Sequence, residues 1–335
     1  MLNGHGDDIY SYSREIVSNF SSNIYGRQDL TELKSHLCSC LDLIQSYPEP
    51  DAHSLAVLLG KKHTIDIDTI CVTNGATEAI YLIAQAFRGS KSGIITPTFS
   101  EYEDACVINE HKLSFSASLD KMGKNNELIW MCNPNNPTGS VYRKEHLDKF
   151  IMEHPDICFV IDQSYEAFTH KKYVFTAEEA SKYKNVILLH SLTKQYAIAG
   201  LRLGYITAPT DLIERTKQYR MPWSVNALAV EAGKFLLRED KNYFNLDNYL
   251  AETNRFMTEL NNIEGLIVLP TNTHFFLCEL INKKASDLKQ FLIEEHGILI
   301  RDAFNFRGLD EHFFRIATQS PEENDSLVKA IKEWM

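Results

Sequence analysis

Short unbroken apolar runs alternate along this chain with longer amphipathic stretches, and each run stops abruptly at polar or turn residues. "TICVTNGATEAIYLIAQAF" reads as a strand to Thr73, a turn at Asn74-Gly75, then a helix with Ile80, Ile83, Ala84 and Phe87 on its inner face. "SGIITPTFSEY" is a strand cut off by Pro97, and "ELIWMCNPNNPTG" is a strand to Cys132 followed by a turn-dense loop. "ICFVIDQSY" runs into Asp162, and "NVILLHSLTK" runs into Lys194. Unbroken apolar strands separated by helices predict a mostly parallel (mixed) sheet sandwiched by helices, an α/β fold.

After about residue 225 the pattern changes. A long helical region is followed by "LIVLPTNTHFFLCEL", "DLKQFLIEEHGILIRD" and "FFRIATQS". Helix, strand, strand, helix, strand, strand and helix suit a smaller α+β domain at the C-terminal end. Residues 1–40 carry no strong periodicity and must lean on another part of the structure. The expected division is an N-terminal arm packing on the small domain at 1–45, a large cofactor domain at 46–230 and the small domain at 231–335.

A buried parallel sheet binds ligands beyond the carboxyl ends of its strands. The residues there are Asn74-Gly75-Ala76-Thr77, Thr98-Phe99, Asn133 to Asn136, Asp162 and Lys194. Five separate stretches thus deliver polar or aromatic groups to one rim. A lysine amine in such a place forms a Schiff base with an aldehyde cofactor. Asp162 would keep a pyridinium nitrogen protonated, making the ring an electron sink. Phe99 would stack on that ring, and Tyr165 and Asn136 would hydrogen-bond its phenolic oxygen. The helix start at Ala76 and Thr77 suits a phosphate, with Ser191, Thr193 and Arg202 completing the cup. Pyridoxal 5'-phosphate meets all these demands.

Each residue also has a plainer explanation: a capping aspartate, a core phenylalanine, an Asn-Gly of any turn. "NPNNPTG" at 133–139 is harder to dismiss, since it specifies a rigid polar loop. So is Arg202 between two leucines, where a guanidinium wants an anion.

Charge and cysteine usage narrow the partners. A formal net charge of -11 argues against nucleic acid or an anionic membrane, and no apolar run is long enough for a membrane span. The opening "MLNGHGDDIYSYSREIV" lacks the basic and apolar regions of a secretory leader. Four of the seven cysteines sit inside apolar runs, as expected of core thiols in the reducing cytoplasm. "CSC" at 38–40 lacks the spacing of a redox or metal motif, and no metal site is expected.

"SLTKQYAIAGLRLGY" at 191–205 resembles the lysine segment of the class I/II aminotransferases, fold type I of the pyridoxal-phosphate enzymes. "NPNNPTG", and Asp162 followed by Tyr165, fall in that family's order. The likeness runs from about residue 20 to the C-terminus. Within the family it points to two branches, histidinol-phosphate aminotransferases and the L-threonine O-3-phosphate decarboxylases of cobalamin synthesis. "GHGDD", "FSSNI", "RMPWSVNALA" at 220–229, "GILIRDAFNFRGLD" at 297–310 and "FFRIATQS" at 313–320 lean to the decarboxylases.

The resemblance implies that Arg315 takes the substrate carboxylate, that Arg301 takes the substrate phosphate together with His5, and that Asn23 lies near the substrate. It implies that Tyr47 reaches the cofactor phosphate of a neighbouring subunit in a homodimer. Lys194, Asp162 and Tyr165 are the expected catalytic residues. Where many relatives carry an acidic residue after the ring-binding aspartate, this chain has Gln163. The leading expectation is decarboxylation of L-threonine O-3-phosphate to 1-aminopropan-2-ol O-phosphate. The alternative is amino-group transfer to 2-oxoglutarate by an aminotransferase of the histidinol-phosphate type. A regulatory or inert binding role is disfavoured, because no basic DNA-binding extension is present and Lys194 is in place.

Overall fold

The structure is a computed structural model that describes residues 6–26, 28–239 and 244–335. Its strands are β1 (Ser18–Asn19), β2 (Ile70–Thr73), β3 (Lys91–Ile95), β4 (Lys112–Ser116), β5 (Leu128–Cys132), β6 (Cys158–Asp162), β7 (Val186–Ser191), β8 (Gly204–Thr207), β9 (Leu266–Val268), β10 (Phe275–Leu280), β11 (Ile298–Leu299), β12 (Arg301–Asp302) and β13 (Phe313–Ala317).

Seven of them form one mixed sheet in the order β2-β8-β7-β6-β5-β3-β4. All neighbours are parallel except β8, which runs antiparallel to both β2 and β7. The apolar runs are continuous because both faces are covered: β2, β5 and β6 are buried throughout. The helix Gly75–Ala86 buries Ile80, Ile83, Ala84 and, at its end, Phe87, as the 3.6-residue period requires. The expected α/β fold is present.

The reversed strand matters for the site. Gly204 begins β8 opposite Thr73 on one side and Ser191 on the other, so β8 starts at the rim where β2 and β7 end. A Cβ on Gly204 would stand 2.8 Å from the Ala76 nitrogen and 2.8 Å from the His190 carbonyl. Only glycine lets the three segments meet so closely.

A second, antiparallel sheet has the order β12-β13-β10-β9. The helices Leu246–Asn261, Ala285–His296 and Pro321–Trp334 bury Phe256, Leu292 and Leu327 against it in one apolar cluster. The stretch "ILIRD", read above as one strand, changes partner midway. Ile298 and Leu299 pair with β1, whereas Arg301 and Asp302 pair with β13. The long helical region likewise divides into two helices, Ala227–Glu239 and Leu246–Asn261. The first of these, with Ala229, Ala232 and Leu236, shares a cluster with Leu55, Val72 and Leu203 beside the large sheet.

The N-terminal segment is extended and borrows its hydrogen bonds. Phe20 donates to the Leu299 carbonyl (2.8 Å) and accepts from Ala317 (2.9 Å), with its ring fully buried among small-sheet residues. A helix at Thr31–Ser39 follows. Among the described residues, no helix is long and apolar enough to cross a membrane.

Candidate functional site

A cavity of about 430 Å³ opens where the carboxyl rim of the large sheet meets the small sheet and the N-terminal segment. Its size suits a small-molecule ligand. Thirteen of the fifteen residues expected at the site line it. Tyr47 does not: it is 83% exposed, its ring 5.1 Å from that of Trp223. His5 lies outside the described residues.

Lys194 stands one helical turn later than the strand end at which it was expected. β7 stops at Ser191, and Leu192–Gln195 form a short helix that carries both Thr193 and Lys194 to the cavity. Burial and the nearby Arg315 guanidinium lower the Lys194 amine to about 8. Arg202 and Asp7 act on it too, in opposite senses.

Asp162 ends β6 and is almost fully buried. One oxygen accepts from the Ser164 backbone at 2.8 Å, and the other accepts from the Tyr102 hydroxyl at 2.7 Å. Both carboxylate oxygens are thus held in place by the surrounding chain. Tyr102 was missed by the sequence reading. It lies in the helix Glu101–Ile108, three residues beyond Phe99, and the turn that leads into this helix brings the two rings to a centroid distance of 5.9 Å. A buried tyrosine needs a partner for its hydroxyl; that was the available signal. Gln163, the departure from the family pattern, clamps the Phe175 backbone through both ends of its amide, at 2.9 and 3.0 Å.

The phosphate-type cup lies on the β2-β8-β7 side. Gly75, at φ +77°, opens the helix whose first turn exposes Ala76 and Thr77 to the cavity. N–H groups there have no intrahelical partner. A Cβ on Gly75 would stand 2.8 Å from Arg202 Nη2, so this guanidinium lies against the glycine turn. Ser191 and Thr193 face the same space.

The opposite wall is built by the N-terminal segment and the small sheet. Asn23, 3% exposed, donates to the Tyr165 hydroxyl at 3.3 Å. Arg315 donates to the Asn136 side-chain oxygen and, at 2.5 Å, to the Ser21 carbonyl. Its Nε and the Asn23 Oδ1 are buried without a hydrogen-bond partner among the described residues. Arg301 bonds Asn305 Oδ1 at 2.7 Å. Asp7, Ser21 and Phe306 also line the cavity and were not singled out from sequence. Asp7 lies in "GHGDD", two positions beyond His5, and its backbone is fixed by the Ser21 hydroxyl at 3.1 Å.

A lysine with a lowered pKa, a buried carboxylate across from it and a helix N-terminus backed by hydroxyls and an arginine fit an aldehyde cofactor bearing a basic ring and a phosphate. The orphaned Arg315 Nε fits an anionic substrate beside it. Fold and site together define an enzyme that works through pyridoxal 5'-phosphate. The chain belongs to the aminotransferase class I and II family, whose model matches residues 15–331. It is 30% identical to the threonine-phosphate decarboxylase of Salmonella typhimurium, over 97% of this chain and 93% of that protein. The crystal structure of L-threonine-O-3-phosphate decarboxylase from Porphyromonas gingivalis superposes with a TM-score of 0.93 and 41% identity, covering 95% of this chain and 99% of that one. A histidinol-phosphate aminotransferase from Sinorhizobium meliloti, solved in complex with pyridoxal-5'-phosphate, shares the fold. Its TM-score is 0.86 at 19% identity, over 99% of this chain and 95% of that one.

Proposed function

We propose that this enzyme decarboxylates L-threonine O-3-phosphate to 1-aminopropan-2-ol O-phosphate, a step of cobalamin biosynthesis. The observation that carries the reading is a pair of arginines. Arg301 and Arg315 are direct cross-strand partners of β12 and β13, both at least nine-tenths buried and both lining the cavity. Like charges directly opposite in a sheet are destabilising, and burial makes the pairing worse. Burial together with Arg301 lowers Arg315 to about 10, and burial lowers Arg301 as well. Such a pair suits a substrate with two anionic groups, a carboxylate for Arg315 and a phosphate for Arg301.

In this reading, bound pyridoxal phosphate supplies an electron sink for the pair left when a bond at the substrate Cα breaks. Lys194 would hold the cofactor, Asp162 would keep its ring nitrogen charged, and Tyr165 with Asn136 would hydrogen-bond its ring oxygen. Phe99 would cover the ring face. Ala76, Thr77, Ser191, Thr193 and Arg202 would hold its phosphate. Arg315 would fix the direction of the carboxylate, and Asn23 would lie beside the substrate. The Lys194 amine, freed when substrate arrives, would deliver the proton that replaces carbon dioxide on Cα. If the Cα hydrogen were aligned instead, the same lysine would remove it and amino transfer would follow.

The test is a paired incubation of the cofactor-loaded enzyme. With L-threonine O-3-phosphate, carbon dioxide release is expected. With L-histidinol phosphate and 2-oxoglutarate, no glutamate is expected. Glutamate from the second mixture without carbon dioxide from the first would replace the decarboxylase with the aminotransferase.

The working unit is proposed to be a homodimer. Leu41, Ile44, Tyr47, Met221 and Trp223 are exposed on two neighbouring segments joined by a hydrogen bond from Trp223 to the Pro50 carbonyl (2.9 Å). Exposed apolar side chains gathered in this way mark an interface, and a second copy would bring Tyr47 to its neighbour's cofactor phosphate. Sedimentation should give twice the 38.4 kDa of the chain. Ile44→Asp combined with Met221→Asp should give monomers that lose cofactor on dilution; a wild-type monomer that keeps its cofactor would sink the idea. The seven free thiols, five of them buried, support a reducing cytoplasm as its compartment.

A further inference from the structure

Outside the cavity lining, the helix Thr31–Ser39 and the residue after it lie against the helix Ala227–Glu239. His36 and Cys40 stand four residues apart, so one face of the chain carries both. Glu231 meets them from the other helix. The Cys40 Sγ and the His36 Nε2 are 3.8 Å apart, and His36 Nε2 is 3.7 Å from Glu231 Oε2. All three donor atoms lie within 4.8 Å of one another, and all three residues are partly buried.

We propose that His36, Cys40 and Glu231 form a zinc site. A tetrahedral zinc ion with bonds of about 2.0–2.3 Å holds its ligand atoms roughly 3.3–3.7 Å apart. Two of the observed separations are already at or near that range, and side-chain rotation of less than an ångström or so closes the third. Thiolate, imidazole and carboxylate together suit zinc better than calcium or magnesium, which take oxygen ligands.

The surroundings favour the same use. The His36 ring is stacked on Phe235 with centroids 4.9 Å apart, which limits its rotation. Lys234 Nζ holds the other Glu231 oxygen, Oε1, at 2.5 Å and leaves Oε2 facing the histidine. A ligating carboxylate held in this way is oriented by its outer partner. The cysteine pair at 38–40 fits no motif by its spacing; the histidine four positions before Cys40 supplies the missing ligand. Binding would release the thiol proton to solvent and staple the helix that follows the cavity-lining N-terminal segment to the large-sheet side of the molecule.

The test uses cofactor-loaded enzyme washed with chelator, then titrated with zinc against a chromophoric chelator. One equivalent should bind at micromolar zinc or below, and cadmium in its place should raise ultraviolet thiolate-to-metal absorption. Cys40→Ser should lose both signals, Glu231→Gln should weaken binding about tenfold or more, and Cys38→Ser should bind as wild type. Each variant is checked for unchanged cofactor absorbance and circular dichroism, so that lost binding is not lost folding. Equal binding by wild type and Cys40→Ser, loss in Cys38→Ser alone, or no binding at micromolar zinc would each overturn the site.

Discussion

Lys194→Ala is expected to abolish the visible absorbance of the bound cofactor and to cut turnover by about a thousandfold or more, roughly 4 kcal/mol of barrier. The substitution removes both the anchor of the cofactor and the proton donor at Cα. Cofactor capture should carry a pH signature as well. The amine is nucleophilic only when neutral, and its lowered pKa of about 8 makes roughly one lysine in ten neutral at pH 7. Raising the pH through this value increases the neutral fraction. Loading of pyridoxal phosphate into the stripped enzyme should therefore accelerate from about pH 6 to about pH 9 and then level off. A rate that falls over that range would contradict the assignment. Lys194→Arg, whose guanidinium stays charged, should show no such acceleration.

The arginine pair gives the second large effect, read by comparing L-threonine O-3-phosphate with plain L-threonine. Removing the arginine from a buried, hydrogen-bonded arginine–anion pair costs about 2–5 kcal/mol. Arg301→Ala should thus lower kcat/KM for the phosphorylated substrate by about a hundredfold while leaving the slow reaction of L-threonine little changed. Arg315→Ala should depress both substrates, because both carry the carboxylate. It would also strand the Asn136 oxygen and the Ser21 carbonyl that Arg315 now satisfies. Arg315→Lys should recover little, since a lysine cannot reproduce the planar fork. Equal losses on the two substrates in Arg301→Ala would refute a phosphate role for Arg301.

How much of this could be read without coordinates differs from one element to the next. The ends of β2, β5 and β6 were legible because buried parallel strands are unbroken apolar runs, and Thr73, Cys132 and Asp162 mark where each run stops. Lys194 was placed a turn too early, because "HSLTK" gives no sign that strand has yielded to helix after Ser191. The change of partner between Leu299 and Arg301 was illegible in principle. Periodicity reports which face is buried, not which neighbour donates the hydrogen bonds. The particular partners of the N-terminal segment were illegible for the same reason: Phe20 is held by Leu299 and Ala317, residues almost three hundred positions away. Tyr102 escaped because it lies on a helix beyond the rim and reaches Asp162 only through its hydroxyl.

The reversed strand β8 also bears on the order in which the chain acquires its function. The hydrogen bonds that set Ala76, Arg202 and Ser191 around one space exist only once β8 has slotted between β2 and β7. Those two strands end and begin at residues 73 and 186, so the pairing is strongly non-local. Contacts of that kind are entropically expensive and form late. A growing polypeptide therefore has no anion cup until well past residue 207, and capture of the cofactor becomes a signal that the large sheet is finished.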